Sequence, residues 1–413
     1  MMWPVGGPPM KPALVVFGAV ALVISQLPWR AVRTIGIAAL TIFMATVYIA
    51  KLFFIPALNY PMIVQFVSDV RPLRSPEYLI AGIILLIVIG IAMYRAPKVP
   101  RFHSPMQYLV AMLAVAVFVN VDAAVTADAT EIYKTLPDDQ EFDSAVRQVK
   151  LGASVDGSHH VLVVMVEAMG LPTGKQEKAI FDTDWDRPEW REKYKVTHGA
   201  SLYHGTTTYG ELRELCGEWA YYSDFDFDGA DCLPKRMKQA GYETSAWHNF
   251  NGKLFDRLDW YPRIGFDNMR FNDDLQQTGV DQCGGVFPGA CDKDVPALIG
   301  DYLTKAKTPQ FLYWLTLNSH IPIVPEKILG TDVCTLGTEQ WRADFPMLCR
   351  LFQTHRVIAQ NVTEMAMAPD FPPTDILIVG DHRPPLFDRG SLAKFDPVHV
   401  PWIYLQAVTP ESD

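Results

Sequence analysis

The stretch HHVLVVMVEAMG, residues 159–170, indicates the fold of the C-terminal part of the chain. Residues 160–166 form an apolar, β-branched run, which is typical of a strand buried on both faces of a sheet. Similar runs follow at 242–248, 309–317 and 374–380. Helical patterns lie between the runs, at 233–240, 295–306 and 345–368. This alternation predicts an α/β fold with a mainly parallel sheet and helices on both faces.

Acidic and imidazole side chains stand where these four runs end. Glu167 ends the first run and His248 the second, His320 follows the third, and Asp381 and His382 follow the fourth. Ligands of such sheets bind beyond the carboxyl ends of the strands. One such residue is ordinarily a structural group, but four strands that deliver Glu, Asp or His to one edge predict a site. These side chains suit a divalent metal, Zn²⁺ or Mn²⁺ above all.

A threonine tract in the stretch HGTTTYGELRELCG, residues 204–217, supplies hydroxyl groups to the same region. Threonine is unfavourable inside a helix and favourable just ahead of one, so the tract predicts a helix start. A hydroxyl at a helix N-terminus beside a cation has a lowered pKa and becomes a nucleophile. The same position holds an anion such as a phosphoryl group. The residues alone leave open whether Thr206, Thr207 or Thr208 reacts.

The first quarter of the chain differs from the rest in charge and hydropathy. Residues 1–105 hold nine basic and two acidic residues, a net charge of +7, and the remaining residues carry −17. Four apolar stretches predict a transmembrane anchor: 12–27, 34–58, 78–93 and 106–121. An acidic domain after a basic anchor is a poor nucleic-acid binder, and we exclude that class.

The domain boundaries and orientation follow from the same pattern. We predict an anchor of about four helices at 1–121, a juxtamembrane connector at 122–154 and a catalytic domain at 155–413. Five basic residues flank the links that we place in the cytoplasm: Arg30, Arg33, Arg95, Lys98 and Arg101. This orientation places the catalytic domain outside the membrane. Arg71 and Arg74, in the loop 59–77, argue mildly against it.

All six cysteines lie in the acidic part, and none lies in the anchor. An even number in three sequence-close couples favours disulfides in an oxidising compartment, and the alternative is six free thiols in a cytosolic domain. The predicted pairs join near neighbours: Cys216–Cys232, Cys283–Cys291 and Cys334–Cys349.

On these motifs the chain resembles the membrane-bound phosphoethanolamine and phosphoglycerol transferases of the alkaline phosphatase/sulfatase superfamily, over about 155–407. VVMVEAMG is similar to the strand that supplies the metal-binding glutamate, here Glu167, and ILIVGDHRPP to the Asp–His metal pair, here Asp381 and His382. GTTTYGE resembles the Gly-x-Thr nucleophile segment with an acid four residues on. This selects Thr207 as the nucleophile and a fourth metal ligand.

The resemblance extends to three groups that would contact substrate. YETSAWHNFNGKLFDR is similar to a family segment with a histidine and, nine residues later, an arginine, here His248 and Arg257. It implies that both orient and neutralise the phosphoryl group. LTLNSHIP matches a segment with a substrate-facing histidine, which makes His320 a substrate-binding residue and a general acid or base.

The resemblance also implies an activity and a location. A phosphoethanolamine or phosphoglycerol group would pass from a membrane phospholipid, through a phosphothreonine, to a cell-envelope glycan or glycolipid such as an exopolysaccharide. One divalent metal is implied, zinc first, with manganese or magnesium as alternatives. The expected location is a bacterial inner membrane, with several spans and the catalytic domain in the periplasm.

Two other activities compete with this interpretation. CLPKR, residues 232–236, fits the sulfatase core in which the cysteine becomes formylglycine, so a sulfatase or related phosphoester hydrolase is an alternative. That tract, however, leads into the helix before the 242–248 run, and Cys232 has a disulfide candidate in Cys216. An inactive membrane assembly factor would have lost a metal ligand, yet all four are present.

Overall fold

The structure is a computed structural model that describes residues 8–55, 59–126, 140–152, 157–386 and 388–408. The chain divides into two compact units. The first comprises Met1–Val64 and Ser75–Tyr133, and the second comprises Gln65–Arg74 and Lys134–Asp413.

The first unit is built from apolar helices. With the helix that leads into the second unit, they are α1 (Lys11–Gln26), α2 (Arg30–Leu52), α3 (Tyr60–Asp69), α4 (Pro76–Arg95) and α5 (Pro105–Thr126). Among the described residues, three apolar segments are long enough to cross a membrane: Arg30–Leu52, Pro76–Lys98 and Pro105–Val125. The predicted helical N-terminal part is therefore confirmed. The first predicted span corresponds to α1, which has only 16 residues, and its crossing stays a prediction.

The second unit contains a seven-stranded sheet in the order β2-β9-β8-β1-β7-β3-β4. Its strands, with the hairpin β5–β6, are β1 (His160–Val166), β2 (Tyr194–Leu202), β3 (Glu243–His248), β4 (Asn268–Arg270), β5 (Gln282–Cys283), β6 (Gly289–Ala290), β7 (Gln310–Leu315), β8 (Thr374–Gly380) and β9 (His399–Ala407). The pairs β1–β7, β1–β8, β3–β7 and β3–β4 are parallel, and β2–β9 and β8–β9 are antiparallel. The mainly parallel sheet is as predicted.

Helices cover both faces of this sheet. They are α6 (Ala145–Gln148), α7 (Lys175–Trp185), α8 (Thr207–Cys216), α9 (Leu233–Gln239), α10 (Arg257–Arg263), α11 (Asn272–Gln276), α12 (Val295–Lys305), α13 (Glu339–Asp344), α14 (Pro346–Met367) and α15 (Arg389–Leu392). Trp314 of β7 packs in the main core with Ile299 of α12 and Ile358 of α14. Its neighbour Tyr313 points to the opposite face, where its ring lies 6.3 Å from that of Tyr261 in α10.

The strand register brings the predicted site residues to one edge. Val166 pairs with Gly380, Met165 with Leu315, and Leu315 with His248. Because these strands run parallel, the segments that follow them all leave the sheet at its carboxyl edge. Glu167, the turn before His320, and Asp381 therefore start from neighbouring positions.

The three predicted disulfides are confirmed. The Cα atoms of Cys216 and Cys232 lie 4.0 Å apart, those of Cys283 and Cys291 4.8 Å, and those of Cys334 and Cys349 6.1 Å. The first bond ties the end of α8 to the residue before α9. The other two close loops within the same second unit.

Candidate active site

Glu167 is held by its backbone at the end of β1. Its amide donates to Thr316 Oγ1 at 2.9 Å, and its carbonyl accepts from Ser319 Oγ at 2.7 Å and His355 Nε2 at 3.1 Å. The next residue, Ala168, has a φ of +55°. A non-glycine residue adopts this conformation only where its surroundings fix it, and such positions cluster at active sites.

Asp381 and His382 form the opposite wall of the site. Asp381 Oδ1 accepts the Ala168 amide at 2.8 Å and the His382 amide at 2.6 Å. His382 Nδ1 donates to the Arg383 carbonyl at 2.9 Å, which leaves Nε2 as the free ring nitrogen. That nitrogen lies 3.3 Å from Asp381 Oδ2 and 3.5 Å from Glu167 Oε1. The structure thus brings these three predicted ligands together, with one potential ligand atom of each within 4.8 Å of the others.

Two carboxyl groups share one imidazole in this cluster, and each group shifts the pKa of the others. Burial raises the pKa of Asp381 to about 8, and the nearby Glu167 carboxylate adds to the effect. Burial lowers the pKa of His382, but Asp381 and Glu167 raise it to about 9 overall. Burial would also raise the pKa of Glu167, but His320 and His382 lower it to about 2.

Asp381 Oδ2 is buried without a hydrogen-bond partner among the described residues. A buried carboxylate oxygen is costly in that state, and a bound cation would satisfy it. Two carboxylates and one imidazole nitrogen are also a suitable donor set for a divalent metal. The residues present therefore fit the predicted metal.

Thr207 is the first residue of α8 and faces this cluster. Its Oγ1 donates to Glu167 Oε2 at 3.0 Å and lies 3.4 Å from His382 Nε2. Thr206 is the N-cap residue. Thr208 is buried, and its hydroxyl has no partner in the described part of the chain. Of the three threonines, the second is the one that the structure links to the predicted ligands.

A glycine lets α8 approach the cluster this closely. A Cβ added at Gly210 would lie 3.1 Å from Asp381 Cβ and 3.2 Å from Asp381 Cα. Any larger residue would push the helix and its first turn away from β8. Gly210, the second glycine of GTTTYGE, is therefore needed for the short distance between α8 and Asp381. The sequence pattern alone did not reveal this.

Arg257 lies in a buried ion pair with Glu211, the acid four residues after Thr207. Its Nη2 donates to Glu211 Oε2 at 2.7 Å, and its Nε also donates to this carboxylate. The hydroxyls of Tyr261 and Tyr313 donate to the same carboxylate. The charge of the predicted phosphoryl-binding arginine is therefore largely neutralised by a partner on α8, the helix that begins with Thr207.

Two more charged residues of α8 brace the site, and sequence analysis assigned neither a role. Arg213 donates through Nη1 to the Asp381 carbonyl at 3.1 Å and through Nη2 to the Gly380 carbonyl at 2.7 Å. Its Nε donates to Glu214 at 2.6 Å. The Glu214 carboxylate accepts the first two amides of α6. Arg213 thus fixes the end of β8, and with it the Asp–His pair.

The two remaining predicted histidines each use Nδ1 in a backbone hydrogen bond, and burial lowers the pKa of both rings. His248 Nδ1 donates to the Leu315 carbonyl at 3.1 Å, and burial, with a contribution from Arg257, lowers its pKa to about 3. His320 Nδ1 donates to the Ile321 carbonyl at 2.9 Å, and burial lowers its pKa. In both rings Nε2 remains as an acceptor.

Asp292 holds the turn that carries His320, and sequence analysis missed it as well. Its buried carboxylate accepts the Leu317 amide at 3.0 Å and the Asn318 amide at 2.7 Å. Its own amide donates to Asn318 Oδ1 at 2.7 Å. The one available signal was an acid directly after a cysteine, which is too common a pattern to single out.

Comparison with known proteins fits this geometry. Residues 204–402 match the Sulfatase family, and the match includes the threonine tract and the Asp–His pair. This region is therefore similar to sulfatase-family domains. No curated protein sequence matches the chain.

Solved structures similar to the chain include three envelope proteins. The integral membrane lipooligosaccharide phosphoethanolamine transferase EptA of Neisseria meningitidis is 12% identical, with 96% of this chain and 81% of that chain covered and a TM-score of 0.49. The lipoteichoic acid synthase LtaP of Listeria monocytogenes is 12% identical, with 68% and 71% covered and a TM-score of 0.47. The C-terminal periplasmic domain of Escherichia coli EptC, in complex with Zn, is 14% identical, with 61% and 74% covered and a TM-score of 0.39.

Within the region that matches the Sulfatase family, the CLPKR motif and the threonine tract stand at the starts of two different helices. Cys232 is bonded to Cys216 and precedes α9, whereas Thr207 opens α8. A cysteine in a disulfide has no free thiol to convert to formylglycine. The disulfide therefore argues against a sulfatase that uses Cys232 as its formylglycine nucleophile.

Proposed function

We propose that the protein is a metal-dependent phosphotransferase of a bacterial inner membrane. It moves a phosphoethanolamine group, or alternatively phosphoglycerol, from a phospholipid to a cell-envelope glycan or glycolipid. The observation that carries this proposal is the position of Thr207 Oγ1, 3.0 Å from Glu167 Oε2 and 3.4 Å from His382 Nε2 at a helix N-terminus. A hydroxyl aimed into an electron-rich, cation-fitting cluster is arranged for attack on phosphorus.

In the first half-reaction Thr207 Oγ forms a bond to the phosphorus of the donor lipid. The bond between phosphorus and the diacylglycerol oxygen breaks, and that oxygen keeps the electron pair. The threonine proton passes to water, because a pKa of about 2 makes the Glu167 carboxylate a weak base, and the protonated form of His320 gives one proton to the diacylglycerol oxygen. Burial strengthens this acid, because it lowers the pKa of His320.

In the second half-reaction an acceptor hydroxyl attacks the phosphothreonine. His320 Nε2, now neutral, takes the proton of that hydroxyl as the bond from phosphorus to Thr207 Oγ breaks. Thr207 recovers a proton from water, so Thr207 and His320 both return to their starting states. His248 and Arg257 are the proposed contacts of the phosphoryl oxygens, and Glu211 fixes the position of the guanidinium.

A divalent metal, with zinc first and manganese or magnesium as alternatives, would polarise a phosphoryl oxygen and lower the hydroxyl pKa when bound. The residues proposed to hold it are Glu167, Thr207, Asp381 and His382. Two atoms support this set: Asp381 Oδ2, which has no hydrogen bond within the described residues, and His382 Nε2, which is left over when Nδ1 donates to the backbone.

The two-unit division supports the proposed membrane orientation. Gln65–Arg74 belongs to the same compact unit as Lys134–Asp413, and two candidate spans, α4 and α5, lie between these segments in the sequence. An even number of crossings returns the chain to the side that it left. Three disulfides favour an oxidising compartment, which in such a bacterium is the periplasm.

Transfer assays in lipid nanodiscs test this function. Full-length protein with phosphatidylethanolamine should release diacylglycerol and label an added envelope glycan fraction. Thr207→Ala should abolish both products, whereas Thr206→Ala and Thr208→Ala should keep measurable activity. Sulfate release from an aryl or sugar ester that survives Thr207→Ala would instead make the protein a sulfatase.

A further inference from the structure

Arg71 and Arg74 lie in a loop where the proposed orientation disfavours basic residues. The segment Gln65–Arg74 connects α2 to α4 and belongs to the catalytic unit. On the outer side of a membrane, short loops are depleted in lysine and arginine. We propose that these two arginines bind the phosphate of the donor phospholipid at the membrane surface. This inference rests on the proposed function, since it names how the lipid is held.

The segment is fastened to the catalytic domain by three contacts. Asp69 Oδ2 accepts from Asn251 Nδ2 at 3.1 Å, and the Arg71 amide donates to the Val286 carbonyl at 2.7 Å. The ring of Phe66 lies 6.4 Å from that of Phe287. The loop is therefore an integral part of the catalytic unit.

Phe287 joins this loop to the reacting groups. Its ring centroid lies 3.9 Å from that of His320, the proposed acid and base. The Arg71 backbone is thus linked to His320 through Val286 and Phe287 of the β5–β6 hairpin. A lipid held by this loop would be anchored on the hairpin that packs against the proposed acid of the reaction.

The two guanidinium groups are available for a ligand. Both side chains are exposed, and among the described residues neither forms an ion pair. The nearest acids in the sequence form hydrogen bonds with other residues. Asp69 accepts from Gln65 Nε2 at 2.7 Å, and Glu77 accepts from Ser75 Oγ at 2.5 Å. Guanidinium groups are well matched to phosphate oxygens.

The apolar residues of the segment favour a lipid over a free phosphate ion. Leu73 stands between the two arginines and is 78% exposed, and Val67 is 68% exposed. The candidate span α4 begins at Pro76, directly after this loop. Exposed apolar side chains next to basic ones, at the end of a span, are typical of a segment lying in the headgroup region.

Donor kinetics in nanodiscs test the inference. The variant carries Arg71→Gln with Arg74→Gln, and the matched control carries Arg95→Gln with Arg101→Gln, two exposed arginines at the end of α4 and in the segment after it. We expect the apparent KM for phosphatidylethanolamine to rise at least tenfold in the variant, with kcat within about twofold of the parent. Turnover of glycerophosphoethanolamine, a soluble donor without acyl chains, should not change. Leu73→Ser should raise the lipid KM without affecting the soluble donor.

Three outcomes would overturn the inference: an unchanged lipid KM, an equal loss with both donors, or the same KM increase in the control. Native mass spectrometry of phosphatidylethanolamine binding gives a readout independent of turnover. If the parent protein binds the lipid and the variant binds it about tenfold more weakly, the arginines hold lipid even where no transfer is detected. In that case the proposed function would fail alone, whereas equal binding by parent and variant would refute the arginine site.

Discussion

Two groups of buried charges lie at the same edge of the sheet, and they differ in balance. Glu211 meets Arg257 at 2.7 Å and Glu214 meets Arg213 at 2.6 Å, so each carboxylate has a guanidinium partner. In the other group Glu167 and Asp381 share one imidazole, and one carboxylate oxygen has no hydrogen bond within the described residues. This difference supports the proposal that the paired carboxylates fix the position of their arginines, while the cluster with the unpaired oxygen binds a cation and reacts.

The largest expected effect comes from neutralising the unbalanced group. Asp381→Asn keeps the Oδ1 acceptor but removes a metal ligand, so activity should fall by about a thousandfold or more. The metal-free variant should unfold at the same or a higher temperature than the metal-free parent, because a buried like-charge contact is lost. Activity assays and thermal unfolding with a chelator measure both. A large loss of stability would place Asp381 among the structural charges.

The balanced group should respond in the opposite way. Glu211→Gln leaves Arg257 buried without its counter-charge, which typically costs about 3–5 kcal/mol. Chemical denaturation should detect this loss, and Glu189→Gln, in a more exposed pair with Arg187, should change stability by less than about 1 kcal/mol. If Glu211→Gln keeps its stability and loses only activity, the contrast between the two groups does not hold.

The disulfide beside the nucleophile helix should affect stability by a smaller amount. Replacing both Cys216 and Cys232 by serine opens a 16-residue separation, for which the loss is about 2–4 kcal/mol. The fraction that remains folded should still transfer phosphoethanolamine. Complete loss of activity in a well-folded Cys232→Ser protein would favour the formylglycine mechanism instead.

His355 should give the smallest effect, visible as a pH dependence. Burial lowers its pKa from 6.5 to about 4, so the unfolded chain binds its proton more readily than the folded one. Its contribution is therefore fully present above pH 6.5 and is lost as the pH falls towards 4, by about 2 kcal/mol at pH 5. His355→Gln keeps a donor for the Glu167 carbonyl and should flatten the decline between pH 7 and 5. Parallel pH profiles of parent and variant unfolding would contradict this.

The fold could be predicted from sequence where burial leaves a continuous pattern. The four apolar runs became β1, β3, β7 and β8, since parallel strands covered on both faces need apolar side chains throughout. Strands β2 and β9 were not predicted. β2 is an edge strand that pairs antiparallel with β9, and its burial is interrupted, so its pattern is weak.

The convergence of the three predicted ligands could be predicted from the sequence. The residues that hold them in position were harder to predict. Glu167, Asp381 and His382 end or follow recognisable strands, and their convergence follows from parallel topology. The supports Arg213, Glu214, Asp292 and His355 depend on contacts that are distant in the sequence. Arg213 reaches the Asp381 carbonyl across 168 residues, and His355 reaches the Glu167 carbonyl across 188. No local pattern encodes such a pair.

The most direct test of the central claim is peptide mapping of the protein after incubation with donor lipid and metal but without acceptor. Mass spectrometry should find a phosphoethanolamine group on Thr207, which disappears when an acceptor glycan is added. The Thr207→Ala protein should carry no such group anywhere. A modification on Thr206 or Thr208, or a formylglycine at Cys232 with Thr207 unmodified, would contradict the account.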